Sequence, residues 1–188
     1  MADFTYLTAC SIDGYIADAD NSLQWLFDVP AVESDSTIPD FIDSVGVLAM
    51  GATTYSWVLE HEAVLEHPEK WHGWYGDRPT FVFTHRDLPP VPDTDIRFVS
   101  GDVTDHLGAL RAAAGTRAVW LVGGGELVGA FDDAGALDEI RLNMVPVALG
   151  GGAPLLPRRI TSDRLSLVEV RQVGQRVDLR YAVRRTAG

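Results

Sequence analysis

Three short stretches carry residue types suited to holding an anionic ligand. Residues 123–126 are Gly-Gly-Gly-Glu and follow the apolar run Val119, Trp120, Leu121 and Val122. Residues 51–54 are Gly-Ala-Thr-Thr and follow Val47-Leu48-Ala49-Met50, and Thr84-His85-Arg86 closes a third apolar run, TFVFT at 80–84. Glycine lets the backbone turn sharply and approach a ligand closely. A helix that starts just after such a turn offers unpaired N–H groups and the positive end of its dipole, a seat for phosphate. The alternative at Gly123–Gly125 is a tight strand-to-helix turn with no ligand. In an open α/β sheet the C-terminal ends of parallel strands point the same way, so all three stretches are expected in one crevice.

Two familiar phosphate templates do not fit. The chain has no GxxxxGK[ST] run, which argues against nucleoside-triphosphate hydrolysis. Gly123, Gly125 and Gly129 give GxGxxxG, one residue off the dinucleotide fingerprint and two-thirds along the chain. What remains is one cofactor crossing several strand ends of a different α/β sheet. Trp25, Leu26 and Phe27 follow the polar run 18–22. Three large apolar groups in a loop either cap the core or wall a pocket for a flat ligand. Cys10 is the single cysteine and has no His or Asn motif beside it, so it reads as a small buried hydrophobe. The histidines at 61, 67 and 72 lack ligand spacing, so no metal site is expected. His85 borders the expected crevice, and the other four read as surface residues.

The elements that must present these residues alternate along the chain. Phe4–Ser11 is rich in β-branched and aromatic residues and ends at the turn dipeptide Asp13-Gly14, which predicts a strand. Tyr15-Ile16-Ala17 is a short extended piece before the loop 18–27. A helix is predicted over Ser34–Ser44, capped by Ser34, Asp35 or Ser36, with Pro39 in its first turn. Further strands are predicted at 47–50, 80–84, 96–100 and 118–122. Helices are predicted after Thr53 or Thr54, after Asp102 or Thr104, and from Gly125 to about Ala134. Residues 60–79 read as a surface excursion with one helical turn. Asp138–Val147 is a longer strand. Leu165–Val173 and Arg176–Arg184 form a hairpin, in which Val177, Leu179, Tyr181 and Val183 alternate with polar residues as in a half-buried strand. Strand–helix alternation over the first 135 residues implies a parallel sheet with helices on both faces, and the hairpin adds antiparallel strands at its edge.

With 188 residues, 46% of them hydrophobic, and a net charge of −12, the chain suits one globular domain over 1–188. That charge opposes nonspecific binding to nucleic acid or to an anionic membrane. An anionic cofactor therefore needs a local pocket of Arg, His or backbone N–H groups. No window approaches 18 apolar residues and the start lacks a basic leader pattern, so a soluble cytoplasmic protein is expected.

Five stretches in order carry a resemblance: TACSIDGYIA (8–17), VLAMGATTYSWV (47–58), FVFTHR (81–86), VWLVGGGELVGAF (119–131) and DEIRLNMVPVALGGGAPLLP (138–157). The sequence resembles the dihydrofolate-reductase-like superfamily. More closely it is similar to the C-terminal reductase domain of bifunctional riboflavin-biosynthesis deaminase/reductases and to stand-alone proteins built on that domain. The resemblance implies an α/β, three-layer dihydrofolate-reductase-like fold, with a mostly parallel sheet of about eight strands and an antiparallel C-terminal hairpin. It implies NADPH as hydride donor. NADH is the alternative donor, because Ala52 stands where many relatives carry an arginine for the 2′-phosphate; Arg86 is the candidate replacement cation.

By the same resemblance Gly51, Ala52, Thr53 and Thr54 form the pyrophosphate turn. Gly123, Gly124, Gly125 and Glu126 lie against the cofactor, with Leu127 behind them; Ala9 and Ile16 flank the nicotinamide, and Thr84, His85 and Arg86 border the crevice. Trp25, Phe27 and Phe41 are the expected substrate contacts. Asp35 or Asp40 is the candidate for the carboxylate that holds the substrate ring in dihydrofolate reductases, with N-capping the alternative at Asp35. Asp13 matches a stretch bordering a ribityl or ribosyl phosphate, with simple turn formation the alternative. The deaminase's zinc-binding motif is absent from the sequence, so the preceding deamination is not expected. The expected activity is NAD(P)H-dependent hydride transfer to a C=N or C=O bond of a small heterocyclic or ribosyl-linked substrate. A homodimer formed through the C-terminal hairpin and the 145–156 segment is expected. The alternative is a catalytically inactive nucleotide-binding or dimer-forming protein on the same fold.

Overall fold

A computed structural model of the chain describes residues 2–30 and 38–185. Its strands are β1 (Phe4–Ser11), β2 (Tyr15–Ala17), β3 (Val45–Gly51), β4 (Thr80–Phe83), β5 (Ile96–Val99), β6 (Ala118–Gly123), β7 (Leu137–Val145), β8 (Ala153–Pro154), β9 (Leu165–Val173) and β10 (Arg176–Val183). The helices are α1 (Gln24–Phe27), α2 (Ile38–Ser44), α3 (Ala52–Glu62), α4 (Pro68–Tyr75), α5 (Leu107–Ala114) and α6 (Gly125–Asp133).

Eight strands form one sheet in the order β5-β4-β3-β6-β1-β7-β10-β9, and β2 pairs with β8. Neighbours from β5 across to β7 run parallel, and β10 runs antiparallel to both β7 and β9. The mostly parallel sheet with an antiparallel C-terminal hairpin is the one the sequence pattern predicts. The continuous apolar runs arise because central strands are covered on both faces. In β6, Val119 and Leu121 join the core under α5 and α6, with Leu110, Val128 and Phe131. Trp120 and Val122 face the opposite core, with Tyr55 and Val58 of α3 and Trp71 of α4. Burying a large apolar side chain contributes about 1.5–3 kcal/mol each, so this sandwich is what holds the strand ends in place. The chain runs outward through β3, β4 and β5 and then returns to insert β6 between β3 and β1. Strand order reverses there, and ligands of such sheets bind outside the strand ends at that reversal.

Local departures from the sequence pattern have packing causes. Residues 24–27, expected as loop, form one helical turn that buries Trp25. Residues 68–75 form two helical turns, because Trp71 finds a fully buried seat edge-on to Tyr55 at 5.9 Å. Neither Thr53 nor Thr54 caps α3; the cap position is Gly51, and both threonines lie in the first turn. Asp102 does cap the 3-10 turn before α5, accepting from Thr104 N at 2.9 Å. The helix predicted over 34–44 is described from Ile38 onward, and Ser34, Asp35 and Ser36 lie outside the described residues. The polar residues of β10 are half-buried instead of solvated, because Asp178 and Arg180 bond Asn143 and Glu139 of β7. Leu167, Val168 and Val170 stand exposed on the outermost strand. Among the described residues no helix is long and apolar enough to cross a membrane.

Candidate active site

Gly51 and Gly123 end neighbouring strands, and their backbones nearly touch. A Cβ on Gly51 would lie 3.8 Å from Gly123 O and 3.9 Å from Gly124 N. Gly123 has a φ of 150°, and a Cβ there would approach Thr54 Oγ1 to 3.4 Å. Side chains are thus kept out of the seam between the two turns. The peptide joining Gly123 and Gly124 is cis. α3 starts directly after Gly51 and α6 directly after Gly124, and neither start has a side-chain cap. Two sets of unpaired N–H groups, with the positive ends of two helix dipoles, therefore lie side by side.

Three cavities take up predicted site residues, and the first of them adjoins these turns. One of about 170 Å³ is lined by Thr8, Ile16, Asn21, Leu23, Thr53, Thr54, Trp57, Gly123 and Gly124 with their neighbours. A second, about 440 Å³, shares Thr8 and extends past Ala9 to Leu26, Phe27, Val29, Trp120, Asn143 and Arg176. The third, about 450 Å³, lies between the ends of β4 and β5 and the side of α6; Phe83, Thr84, His85, Gly101, Asp102, Leu127 and Asp133 line it.

The predicted site residues distribute unevenly over this frame. Ile16, Thr53, Thr54, Gly123 and Gly124 meet at the small cavity, Ala9 and Phe27 at the second, and Thr84, His85 and Leu127 at the third. Gly51 and Ala52 shape the start of α3 without lining a cavity, and Gly125 is packed against the carbonyls of Pro154 and Leu155. Arg86 is exposed beside the third cavity, its N–H donating to Thr84 Oγ1 at 2.8 Å. Glu126 lines none of the cavities. It pairs with Arg158 at 3.0 Å, and Arg158 also holds Asp133 at 2.9 Å.

Two aromatic expectations are corrected. Phe41 is 2% exposed, edge-on to Trp120 at 5.8 Å and under the Arg141 guanidinium at 4.8 Å, so it is core; it lines none of the three cavities above and borders a separate one with Asp3, Thr5 and Arg141. Trp25 is 8% exposed and lines none of the three cavities. The helical turn of α1 directs it inward and leaves Leu23, Leu26 and Phe27 to line the walls. Asp35 lies outside the described residues, and Asp40 is exposed on α2. Cys10 is fully buried, and burial pushes its thiol up to about 11, the character of a packing residue.

Asp13 is engaged as a clamp. Its carboxylate accepts from Ser11 Oγ at 2.6 Å, Gly150 N at 2.7 Å and Leu149 N at 3.1 Å. These bonds lower its pKa from 3.8 to about 2, so at neutral pH it has no proton to donate and instead ties the 11–14 turn to the glycine loop. A carboxyl with a depressed folded-state value adds stability above its unfolded value and loses it as pH falls through the folded one. The window here runs from about 4 down to about 2. Urea midpoints of the wild type are expected to fall more steeply across that window than those of Asp13→Asn. Parallel pH profiles for the two proteins would remove this role.

Sequence spacing does not single out Asn143 and Arg176, which lie on neighbouring strands and meet only through the sheet register. Trp57 had a signal: it stands one helical turn after Thr53 and so shares its face.

Comparison with known proteins adds the family. The chain is 32% identical over 173 residues to YwjB of Bacillus subtilis (strain 168), an uncharacterised protein, covering 92% of this chain and 93% of YwjB. A putative riboflavin biosynthesis protein from Shewanella sp. PV-4 superposes with a TM-score of 0.78 at 26% identity, over 98% of this chain and all of that one (100%). A diaminohydroxyphosphoribosylaminopyrimidine deaminase/5-amino-6-(5-phosphoribosylamino)uracil reductase from Thermotoga maritima superposes at 0.68 and 15% identity, over 97% of this chain and 57% of its own; this is a likeness of fold. The fold shared with these neighbours is the dihydrofolate-reductase-like one. Residues 4–179 match the RibD C-terminal domain, and the chain belongs to that family.

Proposed function

We propose that the protein is an NADPH-dependent reductase that delivers a hydride to a C=N or C=O carbon of a small heterocycle. The observation that carries this reading is the pair of glycine-led, uncapped helix starts beside a ring-sized cavity. Such starts suit a pyrophosphate, since charge-assisted bonds from backbone N–H groups need no cationic side chain. The absence of side chains between Gly51 and Gly123 keeps that seat open.

In this reading the N–H groups at the starts of α3 and α6, with the Thr53 and Thr54 hydroxyls, hold the pyrophosphate. The cavity between β4, β5 and α6 takes the adenosine, with His85 and Arg86 beside its phosphate. Bound NADPH supplies the hydride, two electrons with one proton, and leaves as NADP⁺. Ile16, Leu23 and Trp57 exclude water from the small cavity and fix the plane of whatever ring lies there. Thr8, which lines both this cavity and the next, orients the acceptor and can pass a proton from water to its nitrogen or oxygen.

Titration with NADPH and NADH, followed by nucleotide fluorescence, tests the reading. Saturable NADPH binding is expected, weakened about tenfold in Arg86→Ala while NADH binding holds, the loss expected for one charge-assisted contact. Loss of nicotinamide absorbance with C=N and C=O acceptors then separates a reductase from a passive binder. Failure to bind either nucleotide would overturn the proposal.

A further inference from the structure

A further cleft opens at the other end of the sheet from the glycine turns. It is the cavity of about 380 Å³ that Phe41 borders, set between the end of α2, the entry to β6 and the early residues of β1 and β7. β6 is six residues long, so at the usual rise of a strand its entry lies about 16 Å from Gly123. Thr5 pairs with Glu139 in register, and the two form the floor. Thr5 is 3% exposed, and its hydroxyl has no hydrogen-bond partner among the described residues. The first 60 residues contain ten Asp or Glu and no Lys, Arg or His, so the cations of the cleft all come from later in the chain, as Arg117, Arg141 and Arg180.

The charges of this cleft fall in two zones. Deep in it, Arg141 and Arg180 each donate their Nε–H to a different oxygen of Glu139, Arg180 at 2.5 Å. Both oxygens of that carboxylate are then taken, and the terminal N–H groups of the two guanidiniums have no partner among the described residues. Glu169, opposite Arg180 in register, bonds Arg171 instead, at 3.4 Å. The Arg141 and Arg180 side chains are 22% and 39% exposed, so one uncompensated positive charge sits partly out of water, which favours a bound monoanion. A carboxylate suits it, because guanidinium N–H pairs match its two oxygens and the Thr5 hydroxyl can donate a further bond. At the rim, Asp3, Asp43 and Arg117 are exposed and their side chains have no ion pair among the described residues, which leaves one net negative charge. A phosphate dianion would overshoot the inner charge and face the rim acids. A carboxylate that carries its own cation matches both zones.

We propose that this cleft binds a small zwitterion, its carboxylate on Arg141, Arg180 and Thr5 and its ammonium against Asp3 and Asp43. The site is separate from the proposed nucleotide seat and does not depend on it. The probe is 4-aminobutyrate, titrated into the isotope-labelled full chain with no nucleotide present and followed by amide NMR shifts. Saturable shifts are expected at Thr5, Ala118 and Glu139, with a Kd below about 10 mM, and none at residues 51–54 or 123–126. Butyrate and butylamine each carry one of the two charges and should bind at least about fivefold more weakly. Asp43→Asn, at an exposed position, should weaken 4-aminobutyrate about threefold, the size of one exposed ion pair, and leave butyrate unchanged. Arg180→Gln should weaken both carboxylates about tenfold. No saturable shift at residues 5, 118 and 139, equal binding of 4-aminobutyrate and butyrate, or an Asp43→Asn curve identical to that of the wild type overturns the proposal. Should Arg180→Gln not fold, Asp43→Asn carries the test alone.

Discussion

Gly125→Ala is expected to unfold at a much lower urea concentration than the wild type and to bind NADPH at least about tenfold more weakly. A Cβ at this position would sit 2.5 Å from Pro154 O and 2.6 Å from Leu155 O. Both are backbone atoms, so neither can swing aside. The loop that carries them is itself anchored: Leu155 N donates to Gly14 O at 2.9 Å, and Leu155 O accepts the Tyr6 hydroxyl at 3.0 Å. Overpacking costs about 1–3 kcal/mol, and stripping a buried hydroxyl of its acceptor adds about 1–3 more. A loss on the order of 3 kcal/mol follows. The affinity should fall with it, because any shift of α6 moves the N–H groups that the proposed pyrophosphate seat uses. Gly73→Ala is the matched control. It lies inside α4 with nothing within 4 Å of the added Cβ, and should leave stability equal or raise it by about 0.5–1 kcal/mol. Equal midpoints for Gly125→Ala and wild type would show that the 153–156 loop yields freely.

Asp132→Ala is expected to cost about 3–5 kcal/mol, the usual penalty for stranding one member of a buried pair. The Asp132 carboxylate takes two parallel bonds from Arg164, at 2.6 and 3.0 Å, and the two side chains are 6% and 15% exposed. Arg164 also donates to Arg184 O at 3.0 Å, so the pair fastens the end of α6 to the chain just past β10. The Asp132 bonds raise the pKa of the guanidinium further, and with the partner removed it still stays charged, because arginine's ordinary value lies far above neutral pH. Replacing both residues by leucine should recover part of the loss, and a double-mutant cycle on urea midpoints measures the coupling. Additive single effects would show that the pair does not act as a unit.

Much of the fold was legible locally, and the reason differs by element. β6 and β3 announced themselves because strands covered on both faces need unbroken apolar runs. β10 was placed by its period of two as a half-buried strand, but the partners of Asp178 and Arg180 were not readable from it. A strand's own alternation does not say that a neighbouring strand carries Asn143 and Glu139 opposite those residues. Phe41 and Trp25 show the same limit for aromatics. Their size marks them for burial or for a ligand wall, and only the packing of α1 and α2 on the sheet decides which.

The residue sequence by itself determined the alternation of strands and helices, the glycine turns at 51 and 123–125, and the acidic, cation-poor first 60 residues. These are properties of side-chain chemistry and short-range backbone freedom, which need no knowledge of distant neighbours. Tertiary structure alone decided that a Cβ on Gly51 would touch the backbone of the 123–124 turn, that Glu126 turns to Arg158, and that Arg176 reaches the 26–29 segment. Each of those contacts joins residues at least 30 positions apart along the chain, brought together by strand order and register, and neither of these is written in any local window.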